Sequence, residues 1–270
     1  MLAGWILPNA APTSASRGDC LRRRLTFAAS AAWTPDGIPL DDENVGIDLE
    51  TVRAALESAA SETEARKIRA RMTDDVTEVI GVRMGTVFEV AKEHTAMPLV
   101  EVERLLGSGV YEVKMVGVSV LDFRARAKDA DREALYDVWM RNLDLIDTWD
   151  YIDRAAPRVV GAYLLDRPRD VLFELASAPI RWHRRTAITA AFWIIRARDL
   201  DDPIALCEIL ADDPEHLVQT NVGVALREIG RVDRTVLEEF LGRRGDDLSA
   251  HARRTARSAL SNAIPLTPGP

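Results

Sequence analysis

From residue 45 onward, apolar positions recur every three to four residues, the spacing that lays one stripe along a helix. Amphipathic helices are predicted over 48–59, 62–79, 84–94, 98–107, 111–128, 131–143, 146–153, 156–165, 168–177, 181–198, 203–211, 214–230, 233–243 and 248–262. The gaps are short and hold residues that interrupt helices: Pro98, Gly107-Ser108-Gly109, Pro168, Pro179, Asp202-Pro203, Asp213-Pro214 and Gly245. Thr, Ser, Asp or Asn often precedes an apolar run, where an N-cap would stand. No run alternates apolar and polar residues between hairpin turns, so the fold class is all-α.

The helices come in pairs at a regular interval. Arg184-Arg185-Thr186-Ala187 recurs as Arg253-Arg254-Thr255-Ala256, and Gln219-Thr220-Asn221 lies midway between them. Lys114 stands two further periods before Arg185. A helix-pair period of 34–36 residues fits an α-solenoid. The Trp, Leu-Gly and Tyr offsets of a tetratricopeptide repeat are missing, so a HEAT-like α-α superhelix is predicted, one domain over 46–265 with a concave groove.

Residues 1–45 show no sustained periodicity and are rich in Ala, Ser, Thr and Pro. Arg22-Arg23-Arg24 before a short, mixed apolar stretch falls short of an export signal, and a disordered N-terminal extension is expected. The whole chain has 270 residues, is 47% hydrophobic and carries a net charge of −8. The hydrophobic content excludes a disordered protein, and no stretch approaches the roughly 20 apolar residues of a membrane span. Cys20 and Cys207 give neither a disulfide framework nor a metal-binding pair. A net negative charge argues mildly against nucleic acid, yet residues 146–199 hold nine basic against seven acidic groups. The basic residues are 31 Arg against 4 Lys, and Arg is the side chain whose planar fork grips phosphate. An anionic partner would meet the middle of the chain.

Phosphate-binding glycine loops, nucleophile elbows and HExxH zinc motifs are all missing, and His94, His183, His216 and His251 are scattered. Two features stand out. In Thr148-Trp149-Asp150-Tyr151-Ile152-Asp153, Trp149 and Asp153 are spaced i and i+4 and share a helix face. A carboxylate beside an indole in a groove can stabilise a cation. The plainer reading makes Trp149 core and Asp153 the cap of a helix opening near Pro157. The second feature, Arg181-Trp182-His183-Arg184-Arg185, is either a phosphate clamp or a solvated ridge with Trp182 packed beneath it.

The ordered set Trp149-Asp150-Tyr151-Ile152-Asp153, Ala155-Ala156-Pro157, Trp182-His183-Arg184-Arg185-Thr186-Ala187-Ile188 and Gln219-Thr220-Asn221-Val222-Gly223 through Arg227-Glu228 resembles the AlkD-like DNA alkylation repair family. The likeness spans most of 46–262. It implies a HEAT-like solenoid that holds duplex DNA on its concave face, and a DNA N-glycosylase that releases cationic alkylated purines such as 7-methylguanine and 3-methyladenine. By that resemblance, Asp153 is the catalytic carboxylate that stabilises charge developing on the deoxyribose and helps position water. Trp149 is an aromatic that contacts the sugar and backbone. Arg185 holds a DNA phosphate, with Arg184 beside it, and Arg227 is a further basic position of the groove.

The sequence also departs from the family. Val224 follows Gly223 where the family has a tryptophan forming a second aromatic wall, and Thr220 replaces a basic residue. Each loss would weaken binding by about 1–3 kcal/mol. Alternatives from other classes are a non-catalytic HEAT-like DNA-binding relative and a protein-binding solenoid, the latter suggested by the acidic flanks. The resemblance implies double-stranded DNA containing alkylated bases as partner and no cofactor. A monomer acting in the cytoplasm, with no membrane association, is expected.

Overall fold

The computed structural model describes residues 49–72 and 78–261. The extension expected over 1–45 lies outside the described residues, as does the end of the expected domain at 262–265. The described residues form thirteen α-helices: α1 (Leu49–Glu57), α2 (Glu62–Arg71), α3 (Met84–Glu93), α4 (Leu99–Leu106), α5 (Tyr111–Arg124), α6 (Arg132–Arg141), α7 (Trp149–Ala156), α8 (Asp170–Ala176), α9 (Arg181–Arg196), α10 (Asp201–Ile209), α11 (His216–Val232), α12 (Arg234–Arg244) and α13 (Ala250–Ser261). Two short 3-10 turns, Leu143–Leu145 and Leu164–Asp166, and a π turn, Pro157–Gly161, complete the set.

The odd-numbered helices from α3 to α13 pack each on the next in series, forming one layer of an α-solenoid. The even-numbered helices form the second layer: α4 packs on α5, α8 on α9, α10 between α9 and α11, and α12 on α11. Helices α5, α7, α9, α11 and α13 begin at 111, 149, 181, 216 and 250, so the repeat varies between 32 and 38 residues around the expected interval. Apolar faces of both layers meet in one continuous core running from Val52 to Ala256.

Three of the departures from the sequence reading have an identifiable physical cause. Helix α2 stops at Arg71 and does not reach 79. The buried Glu112 carboxylate accepts the N–H groups of Ile80, Gly81 and Val82 at 2.9, 2.7 and 3.2 Å, which holds that backbone outside a helix. Helix α5 is buried along every residue from Tyr111 to Asp122, so its pattern is not that of a surface helix, and it ends at Arg124. The break expected between 153 and 156 is absent. Pro157 has no N–H to offer the Asp153 carbonyl, and the chain continues through a π turn that Ala162 N–H closes on Pro157 O at 3.0 Å. Among the described residues, side-chain N-caps form at Asp131, Asp233 and Ser249.

Two glycines allow the inner layer to close. A Cβ at Gly161 would stand 2.1 Å from the Ala190 carbonyl oxygen of α9, and one at Gly223 would stand 2.7 Å from the Ala252 backbone of α13. Neither backbone can move without parting two helices. Gly161→Ala and Gly223→Ala should each destabilise by about 2 kcal/mol or more in urea unfolding. Gly242→Ala, whose Cβ meets nothing within 4 Å on α12, should stabilise by about 0.5–1 kcal/mol.

Candidate active site

Helix α7 is short, and its two faces have different tasks. Tyr151, Ile152, Ala155 and Ala156 are buried in the core, while Trp149, Asp150, Asp153 and Arg154 line an open cleft of about 480 Å³. Trp149 is half-buried, packed on the core at one edge and facing the cleft at another. Asp153 lies mid-helix, one turn on from Trp149, and caps nothing, which overturns the capping alternative.

The Asp153 carboxylate is held from below. Arg185 donates from Nε and Nη2 to Oδ1 at 3.2 and 2.9 Å and from Nη2 to Oδ2 at 2.7 Å. Asn221 Nδ2 donates to Oδ1 at 3.0 Å and to Thr189 Oγ1 at 2.7 Å. Arg185 Nη1 donates to the Leu217 carbonyl. The side chain of Arg185 is 3% exposed and that of Asp153 35%, so the carboxylate faces the cleft and the guanidinium lies beneath it. Oδ1 thus accepts three donors and Oδ2 one, which leaves Oδ2 the oxygen with open lone pairs. Neither sequence pattern nor spacing singled out Asn221 or Thr189. The lone hint was the place of Asn221 near the repeat of Arg185.

The run at the start of α9 has Trp182 packed beneath it as the ridge reading expected, but it is not solvated: His183, Arg184 and Arg185 are largely buried. Trp182 is buried, with the Arg181 guanidinium 4.6 Å over its ring. Each polar side chain of the run meets a carboxylate about one repeat away: Arg181 with Glu215, His183 with Asp144, Arg184 with Asp213 and Arg185 with Asp153. Arg185 lies buried beneath the carboxylate, its guanidinium engaged by Asp153 and the Leu217 carbonyl, an arrangement that orients Asp153. Arg184 is 13% exposed, pinned by Asp213 and by the carbonyls of Ala178 and Pro179. Arg227 pairs with its neighbour Glu228. Neither Arg184 nor Arg227 bonds to Asp153 or Arg185.

The cleft's own cations are others: Arg71, Arg126, Arg154 and Arg158. Arg71 Nη2 bonds the Tyr111 hydroxyl at 3.0 Å, and that hydroxyl donates to Asp150. Burial first, then the Asp150 carboxylate, pushes the Tyr111 hydroxyl far above its ordinary pKa, so it stays a donor. Arg154 lies between Phe88 and Phe123, 4.3 and 4.7 Å from their rings. Sequence reasoning passed over these arginines, although Asp150, Arg154 and Arg158 follow at i, i+4 and i+8 along the stripe beside Trp149 and Asp153. On the cleft walls four arginines meet two aspartates, Asp150 and Asp153, so this part of an acidic chain is locally positive. No group of three His, Cys, Asp or Glu side chains suited to a metal ion occurs among the described residues, and none of their helices is long and apolar enough to cross a membrane.

The profile of the family described as DNA alkylation repair enzyme matches residues 52–260, which takes in both layers and the whole cleft. The chain belongs to this DNA alkylation repair family. Among solved structures, a predicted DNA alkylation repair enzyme from Enterococcus faecalis is similar with a TM-score of 0.60 and 18% identity, over 76% of this chain and 98% of that one. A member of a new family of proteins related to the HEAT-like repeat DNA glycosylases, with affinity for branched DNA structures, is similar with a TM-score of 0.56 and 16% identity, over 80% and 94%. No curated protein gives a significant match. At these identities the neighbours establish the fold, a HEAT-like α-solenoid.

In this DNA alkylation repair protein the Arg185–Asp153 pair carries a stability prediction. Asp153→Ala leaves a buried guanidinium without its anion and should cost about 3 kcal/mol, the low end for such a break because Asp153 is partly exposed. Asp153→Asn keeps an oxygen to accept from Arg185 and should cost clearly less. Urea midpoints of the two variants check the order.

Proposed function

We propose that this chain is a DNA N-glycosylase that releases cationic alkylated purines, of the 7-methylguanine and 3-methyladenine type, from duplex DNA. The observation that carries the reading is the Asp153 carboxylate, held by Arg185 and Asn221 with Oδ2 facing a cleft it shares with Trp149.

The chemistry asks little else of the protein. An alkylated purine is positively charged, so heterolysis of its glycosidic bond returns the bonding pair to the ring and releases a neutral base. Positive charge passes to the deoxyribose as an oxocarbenium-like centre, and a fixed anion beside it lowers the barrier without proton transfer to the base. A charge pair at 4 Å is worth at most about 4 kcal/mol at an effective dielectric of 20, and the Arg185 guanidinium on Asp153 offsets part of it. Water then adds at the anomeric carbon, and Asp153 Oδ2 is placed to accept its proton. Trp149 offers an apolar face to the sugar. The reading requires no cofactor and no second copy of the chain, and it puts a monomer in the cytoplasm with its DNA.

Single-turnover release of 7-methylguanine from methylated duplex DNA tests it. Wild type should release the base, and Asp153→Asn should lose that release by a hundredfold or more while still binding the duplex. No release from either protein, with duplex binding intact, would sink the enzyme reading.

A second reading, a DNA-binding relative without the chemistry, is favoured by one residue. Val224 is half-buried on α11, three residues beyond Asn221, at the position where the family resemblance implies a tryptophan. The structural neighbour with affinity for branched DNA structures shows that a protein of this fold can be described by DNA binding. Under the glycosylase reading Val224→Trp should tighten binding of abasic or methylated duplex about tenfold, the lower part of the range for one aromatic stack. Parallel titrations of wild type and variant on duplex and four-way junction DNA would decide which substrate gains.

A further inference from the structure

Three arginines of the cleft converge on one carboxylate. Asp122 has a fully buried side chain. Its Oδ1 accepts from Arg158 Nη1 at 2.8 Å and its Oδ2 from Arg126 Nη2 at 2.6 Å. Arg154 Nη2 stands 3.0 Å from the same Oδ2, outside hydrogen-bonding alignment. One arginine would neutralise Asp122. Three leave an excess of two positive charges in a space a few ångströms across, an arrangement that costs energy until an anion arrives.

The cluster is built and not fluid. Arg154 is sandwiched between Phe88 and Phe123, Arg158 lies 5.7 Å over Trp193, and Arg126 lies 5.0 Å over Phe123. Exposure rises outward, from 17% for the Arg154 side chain through 31% for Arg158 to 43% for Arg126. Arg126 and Arg158 each commit one nitrogen to Asp122, and both line the cleft that Asp153 and Trp149 also line. Repulsion within the cluster adds to burial in lowering the Arg154 pKa, against the pull of Asp122.

We propose that Arg126, Arg154 and Arg158, gathered on Asp122, form a phosphate subsite that takes a backbone phosphodiester of the nucleic acid next to the nucleotide held at Asp153. The proposal rests on the DNA reading above and gives its strand a fixed path. Two outward-facing guanidinium forks match an anion with several acceptor oxygens, which a phosphate group offers. Arg158 follows Asp153 by five residues on one continuous helical run, about 7 Å along the axis. Each strand of a duplex advances about 3.4 Å of axis per phosphate and farther along its own winding path, so the cluster lies within one or two nucleotide steps of the carboxylate. The cleft is open to solvent, as a continuing strand requires.

The test measures binding of unmodified duplex by fluorescence anisotropy across a KCl titration, for wild type, R126Q and R126Q/R158Q. Glutamine can still donate to Asp122, Arg154 remains on it, and R126Q changes the outermost residue if the double variant fails to fold. The slope of log affinity against log salt should flatten by less than about 1 in the single variant and by about 1 in the double, the loss of one phosphate contact. At 0.1 M KCl the double variant should bind at least tenfold more weakly. In a duplex carrying one abasic site, which fixes the register, a methylphosphonate placed one or two steps from that site should weaken wild type and leave the double variant unaffected. Folded variants with the wild-type slope would overturn the subsite and leave DNA binding standing. A wild type that binds no duplex would instead remove the DNA reading and the backbone assignment together. In that case inorganic phosphate decides the chemistry: a rise in wild-type Tm that R126Q/R158Q lacks assigns the cluster to free phosphate, and no rise removes phosphate altogether.

Discussion

A guanidinium that is 3% exposed needs an anion, and the need of Arg185 for one fixes the cleft. Removing Arg185 from water costs several kcal/mol, recovered only when a carboxylate meets it in good geometry and the remaining N–H groups find acceptors. Asp153 supplies the carboxylate from α7 and Leu217 a carbonyl from α11, so one side chain of α9 ties three successive helices of the inner layer. Asn221 adds a second link between α11 and Asp153 and a third to Thr189 on α9. Such a pair contributes little net stability. What it contributes is position: the helix carrying Trp149 cannot slide without stranding a buried charge. The π turn at Pro157 belongs to the same constraint, because it lets the chain leave Asp153 without a break and bring Gly161 against the Ala190 carbonyl.

Much of this is written in local spacing, and that part is legible in the sequence. The helix rhythm, the two-helix repeat and the Trp149–Asp153 pair all follow from intervals of three, four and about thirty-five residues. The failures come where a distant side chain decides. Residues 62–79 have a helical pattern, but Glu112, some thirty residues away, captures three backbone N–H groups beyond Arg71. Arg184 and Arg185 look like free cations in a run of four, and only the fold brings Asp213 and Asp153 to them. Arg154 and Arg158 look like the polar side of an ordinary helix, because Asp122 lies on the preceding inner helix at a separation of more than thirty residues. A charged residue in a repeat protein takes its meaning from the neighbouring repeat, one period away, and a single sequence does not say which residue that is.

Charge shows the same separation between local and global. The chain as a whole is at −8, which taken alone argues against a nucleic-acid partner. Net charge acts at long range and is screened within about 8–10 Å at physiological salt, whereas a cleft is read at contact. There the balance reverses, with Arg71, Arg126, Arg154 and Arg158 facing Asp150 and Asp153. On the DNA reading, a basic cleft in a chain of net charge −8 confines the strand to one place on the surface instead of letting it bind everywhere.

On the glycosylase reading the two charged centres of the cleft also stand in tension, and that tension would tie binding to chemistry. A carboxylate that must stabilise a cation gains nothing from uncompensated arginines a few ångströms away, since their field opposes it at every distance. With the cluster empty, the excess charge around Asp122 offsets part of what Asp153 can do. A phosphodiester seated on Arg126 and Arg158 removes one unit of that excess, and the potential at the sugar turns more negative at the moment a strand is in place. On this arrangement the full strength of Asp153 is available only to a substrate long enough to reach both centres. A free alkylated nucleoside, which carries the labile bond but no backbone phosphate, meets a carboxylate whose field is still partly cancelled.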